Sequence, residues 1–286
     1  MTRTTTSPLS TIRDVLVGLT EEGRGDEPPA AIGYGLTLAA EAGAHLTVQA
    51  ASRRIVAVGA SIPGLMRSLV AAENRRLDRL AHAVAERAAG DAAMAGVACT
   101  VEAPSLSQPA LLARLAWRAR LHDLTVLDAE PWAEDIDRDL IEAVLFSSGR
   151  PVIVVPPNRN TFRARRIMIA WDGSASAARA INDAMPLLRA ADTVEVVSVV
   201  GEKELPSSAL GAEIAPHLVR HGVNATVTEL PMQASVADTL RLHVDLTRAD
   251  VLVMGAFRHG RLREWLFGGV TQSLLGRSPV PLFLAH

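Results

Sequence analysis

The residues best suited to chemistry are Asp172, Gly173 and Ser174 in AWDGS and the glycines of VLVMGAFRHGRLREWLFGGVTQSLLG, which starts at Val251. Asp172 directly follows a hydrophobic run. Its carboxylate could therefore reach a ribose hydroxyl or a water around bound Mg²⁺, while Gly173 permits a tight turn and Ser174 can cap the next helix. The same residues could instead simply satisfy loop and helix-end amides. Gly255, Gly268 and Gly269 are places where backbone N–H groups can approach phosphate oxygens. Arg258, His259, Arg261, Arg263 and Thr271 could add charge or a hydroxyl there. Alternatives stand beside these roles: Arg258 could block the approach, His259, Arg261 and Arg263 read more simply as a solvated helix start beside Glu264, and the glycine pair could permit tight helix–sheet packing.

Other chemistries find little support. The eight histidines are dispersed, and only His217 and His221 stand four apart. That spacing can put two ligands on one helix face, but neither a cysteine nor a zincin-like carboxylate accompanies it. His45 and His82 are isolated, and His243 with Asp245 lacks a serine-centred nucleophile elbow. Cys99 is the sole cysteine, which excludes an internal disulfide framework and fits a reducing compartment. Aromatic residues make up only 3% of the chain, against a dedicated platform for single-stranded nucleic acid.

The secondary structure around these residues repeats along the chain. Hydrophobic strand-like runs alternate with helical periodicity from Asp14 to Pro157, and the same order, β-α-β-α-β-α-β-α-β, restarts at Ile167. PPNRNTFRARR, at 156–166, interrupts the pattern and marks the boundary between domains 1–157 and 158–286. Each half is expected to be a doubly wound α/β domain with a five-stranded, mainly parallel sheet flanked by helices. Within the first, Leu65 to Ala89 is expected to cover the sheet through Leu69, Leu77, Leu80 and Val84. Within the second, one helix is expected over Ser174 to Leu188 and a shorter one over Ala209 to His221. RPVIVV and VPLFLA, the last strand of each half, could pair and so close the sheet edges.

At 286 residues and 49% hydrophobic, the chain can build two substantial cores. Its net charge of -2 creates no global field for nucleic acid or an anionic membrane, so neither is expected as a partner and recognition must be local. No apolar run approaches about 20 residues, and the polar MTRTTTSPLST lacks a signal-peptide core, so cytoplasmic residence is expected.

AWDGS followed by a helix, ADVLVMGAF, and RLREWLFGGVTQSLLGRSPVPLFLAH resemble the universal stress protein family, clearly over 166–286 and more weakly over 13–157. The full chain resembles its tandem members. The resemblance implies parallel five-stranded sheets, frequent pairing through terminal strands, and either ATP binding or none. ATP-binding members carry a Gly after the fourth strand, a second Gly three residues on, and ten residues later a Gly beside Ser or Thr. Here Gly255 and Gly268 match, Arg258 replaces the second glycine, and Gly269 stands where the hydroxyl is expected; Thr271 would substitute only if the loop path shifts. In the first half, Thr20 stands near the Asp172 position, Asp128 near Gly255, and Ser147 and Ser148 near the glycine pair. An acidic residue would repel phosphate, so Asp128 is expected to cap or end a strand and its half to serve assembly.

The expectation is a stress-associated protein whose second domain could bind an adenine nucleotide, ATP with Mg²⁺, with a nucleotide-free structural or partner-binding protein as the alternative. No side chain is placed as a general base, so any hydrolysis is expected to be slow. Internal domain pairing is expected, and two chains could associate further into a homodimer.

Overall fold

The fold is taken from a computed structural model, which describes residues 7–21, 29–56, 64–129, 136–201, 211–256 and 269–286. A 3-10 turn, Pro8–Thr11, leads into β1 (Asp14–Glu21), α1 (Ala30–Ala42), β2 (His45–Arg53), α2 (Gly64–Met94), β3 (Cys99–Glu102), β4 (Ser105–Leu106), α3 (Gln108–Ala119), β5 (Leu124–Asp128), α4 (Ile136–Ser147) and β6 (Val152–Val155). After the connecting segment come β7 (Arg166–Ala170), α5 (Ala175–Asp183), α6 (Met185–Ala190), β8 (Thr193–Val200), α7 (Ile214–Arg220), β9 (Ala225–Pro231), α8 (Val236–Thr247), β10 (Val251–Gly255), α9 (Gly269–Arg277) and β11 (Leu282–Ala285).

Strands separated by helices pair in parallel, because the crossover must return the chain to the same sheet end. The order is β3-β2-β1-β5-β6-β11-β10-β7-β8-β9, with β4 beside β2. Five strands of each half thus stand in mirrored order. The halves meet where β6 and β11 pair antiparallel, Val154 opposite Leu282 and Ile153 opposite Phe283, so the strands at RPVIVV and VPLFLA close one another's edges.

Both faces of this sheet are covered, as expected for strands that read as unbroken apolar runs. Alternate residues point to opposite layers. Val15, Val17, Ile167 and Ile169 join a core with Tyr34 and Leu38 of α1 and Ile181 of α5. Leu16, Met168 and Leu252 join the other with Leu115 of α3, Val144 of α4, Leu240 of α8 and Leu274 of α9. The segment between β6 and β7 docks on α1. The Phe162 amide donates to Thr37 Oγ1 at 2.8 Å, and its ring meets that of Tyr34 edge-on at 5.5 Å.

Three expectations need correction. The helix expected over 174–188 is two helices, because Pro186 has no N–H to donate and its ring disfavours a continuous turn; it sits instead in the first turn of α6. The helix expected from Ala209 begins among the described residues at Ile214, with residues 202–210 outside the description. On α2 the buried stripe is Leu77, Ala81, Ala85, Ala88 and Ala92. Alanines let a long helix lie close to the sheet. Leu80 and Val84 are consequently half-buried and Leu69 is exposed.

Candidate functional site

Two aspartates anchor corresponding strands and set the register between halves. Asp123, just before β5, accepts from the amides of Arg13 and Asp14 at 2.7 and 3.1 Å. Asp250, just before β10, accepts from Arg165 and Arg166 at 3.1 and 2.8 Å. Each carboxylate ties the start of one central strand to its neighbour. Counting onward from these anchors, Asp128 corresponds to Gly255 and Thr20 to Asp172. Sequence reading did not single out this pair, although an Asp immediately before LTVLD and VLVMG is a visible signal.

In open α/β sheets, ligands sit outside the carboxyl ends of strands where the winding direction reverses. In the second half that point lies between β7 and β10, which are neighbours although β8 and β9 intervene in the chain. Asp172 and Gly173 follow β7, and Gly255 ends β10. The structure therefore brings these residues together at the switch point.

The turn between β7 and α5 is built locally. Gly173 adopts a φ of +76°, open to glycine without strain. Asp172 Oδ1 accepts from the Ser174 amide at 3.0 Å, and Ser174 Oγ caps α5 by accepting from Ala177 at 3.1 Å. Both residues thus perform the loop and helix-end roles. Asp172 is nonetheless exposed. Gly255 is buried against the same helix start: a Cβ there would fall 2.6 Å from the carbonyl carbon of Ser176 and closer still to the Ala177 amide. Only glycine lets β10 end flush with α5.

The first half solves the same corner differently. Pro29 precedes α1 without a side-chain cap, and Asp128 reaches across from β5 so that Oδ1 accepts from the Ala31 amide at 2.8 Å. Asp128 ends β5, as expected, and its carboxylate in addition caps α1, on a first-turn donor of the kind that binds anions. Thr20, at the Asp172 position, keeps its Oγ1 buried with no partner among the described residues.

Of the remaining candidates, Gly269 is exposed at the start of α9 and Thr271 is 1% exposed. Arg258, His259, Arg261, Arg263 and Gly268 lie outside the described residues. Ser147 and Ser148 lie at the end of α4, where the Ser148 hydroxyl donates to the Arg150 carbonyl. His243 turns to Glu195 at 3.1 Å, which also accepts from Thr228 at 2.6 Å, so this group ties α8 to β8 and β9. His217 and His221 pack ring to ring at 4.5 Å. Among the described residues no three His, Cys, Asp or Glu side chains cluster as metal ligands, and no helix is long and apolar enough to cross a membrane.

Residues 163–286 match the model of the universal stress protein family. A universal stress protein from Archaeoglobus fulgidus DSM 4304 superposes over 95% of this chain and 97% of its own, with a TM-score of 0.70 at 15% identity. A putative universal stress protein from Pseudomonas aeruginosa UCBPP-PA14 covers 97% and 94% with a TM-score of 0.59 at 16% identity. A functionally unknown protein from Pseudomonas aeruginosa PAO1 covers 97% and 93% with a TM-score of 0.57 at 15% identity. No curated protein matches the chain in sequence. The second half, residues 163–286, belongs to the universal stress protein family, in a chain whose whole length takes up the fold of such proteins.

Proposed function

We propose that the chain is a cytoplasmic stress-response protein in which residues 158–286 bind one adenine nucleotide at the β7–β10 switch point, while residues 1–157 serve pairing and assembly. The observation that carries this reading is the contrast between Asp128 and Gly255. In the first half Asp128 takes the Ala31 donor in the first turn of α1; in the second, glycine stands at that position, the hydroxyl of Ser174 caps α5, and Asp172 is exposed beside the same corner.

In this reading Asp172 meets a ribose hydroxyl or a water on Mg²⁺, and Gly173 and Ser174 keep that carboxylate on the rim of α5. Gly255 holds β10 against the helix start. Arg258, His259, Gly268, Gly269 and Thr271 supply the phosphate side, with the Arg258 guanidinium replacing backbone donors that a second glycine would expose. No residue is positioned as a general base, so the site senses nucleotide without turning it over appreciably.

Equilibrium dialysis of labelled ATP against nucleotide-stripped full-length protein tests these roles. Saturable binding weakened by Asp172→Ala and by Arg258→Ala supports them; binding indifferent to both variants removes the site from the switch point. A second reading, a nucleotide-free partner-binding protein, is favoured by one feature: Asp172, Ser174 and Gly255 each already have a structural task. Absence of ATP binding in the same dialysis would select it.

A further inference from the structure

The long helix of the first half overshoots the sheet it covers. Asn74 clamps the chain just beyond β2, accepting from the Ile55 amide at 2.8 Å and donating to its carbonyl at 3.0 Å. Since α2 runs back along β2 from this point, its residues before Asn74 extend past the strand end, by about 15 Å at 1.5 Å per residue. No residue of α2 before Leu77 is buried.

This overhang carries the wrong side chains for a solvated helix end. Leu65 is 74% exposed, Met66 52% and Leu69 57%, and Val56, next in the chain to the clamped Ile55, is 61% exposed. Leu65 and Leu69 lie one turn apart and share a face. On the helical wheel that face points away from the Leu77–Ala81–Ala85 stripe, so Leu65 and Leu69 project outward from the fold, while Met66 lies on the Leu77 side and is exposed because it stands beyond the strand end. Around them the charge is one-sided. Residues 53–56 and 64–79 hold six arginines against Glu73 and Asp78, in a chain whose net charge is -2. Arg76 is paired with Glu73 at 2.9 Å, while Arg54, Arg75 and Arg79 are exposed.

We propose that the overhanging end of α2 docks on an anionic lipid surface. Leu65, Met66 and Leu69 enter the boundary between headgroups and acyl chains, and the flanking arginines meet the phosphates and carboxylates of the headgroups. A few projecting apolar groups with arginines on the sheet side of them suit a deformable anionic surface. They expose on the order of a few hundred Å², short of the roughly 800 Å² per partner of a standard protein interface, which disfavours a second copy. The contact is peripheral and independent of the nucleotide reading.

Co-sedimentation of the full-length protein with phosphatidylcholine vesicles, with and without one-quarter phosphatidylserine, tests this. Binding to the anionic vesicles alone, weakened by salt, is expected. Leu65→Ser/Leu69→Ser should weaken it at least tenfold, and Arg75→Gln/Arg79→Gln by about fivefold per charge. Because these side chains are all exposed, both variants should melt close to the wild type, which separates lost docking from lost folding. No binding of wild type to anionic vesicles at low salt overturns the proposal, as does unchanged binding by the leucine variant. If gel filtration instead shows a dimer that the leucine variant dissociates, without vesicle binding, the face belongs to a second copy.

Discussion

Asp128→Ala removes the acceptor that holds the start of α1, and its cost can be worked from the contacts. The Ala31 amide donates to Asp128 Oδ1 at 2.8 Å, and Pro29 offers no side-chain substitute. Losing a helix N-cap costs about 0.5 to 2 kcal/mol, and a charged acceptor stands toward the upper end. The favourable interaction of a carboxylate with the helix dipole is part of the same contact and is not added to it. A loss of about 1.5 kcal/mol lowers Tm by roughly 3 to 6 °C for a protein of this size class. Asp128→Asn keeps an acceptor and should lose about half as much. If the carboxylate stands where an anion would otherwise bind, inorganic phosphate should raise the Tm of Asp128→Ala more than that of wild type. Thermal unfolding followed by circular dichroism, with and without phosphate, reads all three. An Asp128→Ala protein as stable as wild type would refute the capping role, and equal phosphate effects would refute the stand-in for an anion.

Four further outcomes follow from the same contacts. Gly255→Ala forces a Cβ into the first turn of α5 and should cost about 1 to 3 kcal/mol in chemical denaturation; no change would mean that β10 and α5 are not packed this closely. Asp250→Ala leaves the amides of Arg165 and Arg166 without their acceptor, and should speed hydrogen exchange at both while leaving Arg13 and Asp14, held by Asp123, unchanged. Burial, opposed by a hydrogen bond to the Arg118 carbonyl, lowers the His122 imidazole below its ordinary range. The unfolded chain therefore binds the proton more readily, and the stability from neutral His122 is intact above about pH 6.5 and declines as pH falls toward the lower folded value; from pH 7.5 to 5.5 wild type should lose more Tm than His122→Asn. Burial also raises the Cys99 thiol, so Ellman's reagent at pH 8 should react more slowly with native than with unfolded protein.

The alternation of strands and helices and the switch-point corner were legible because they depend on local signals. AWDGS reads as strand, turn and cap without knowledge of anything distant, and Ser174 and Gly173 take those positions. The capping of α1 was not legible in detail, since Asp128 and Ala31 are 97 residues apart and only the fold brings them together. On α2, leucines outrank alanines in hydrophobicity, yet close approach of a helix to a sheet rewards small side chains; Leu69 was therefore expected inside and lies outside. Pro186 announced a helix break that the surrounding periodicity concealed. Arg258, His259 and Gly268 remain roles proposed from residue type and spacing.

The two halves of one fold differ at the same corner, Asp128 in one and Gly255 in the other, and the stoichiometry of ATP binding reads that asymmetry. Isothermal calorimetry on nucleotide-stripped protein, with and without Mg²⁺, should give one ATP per chain, weakened by Asp172→Ala and retained by Asp128→Asn. Two sites per chain, or no binding confirmed by dialysis, would contradict it.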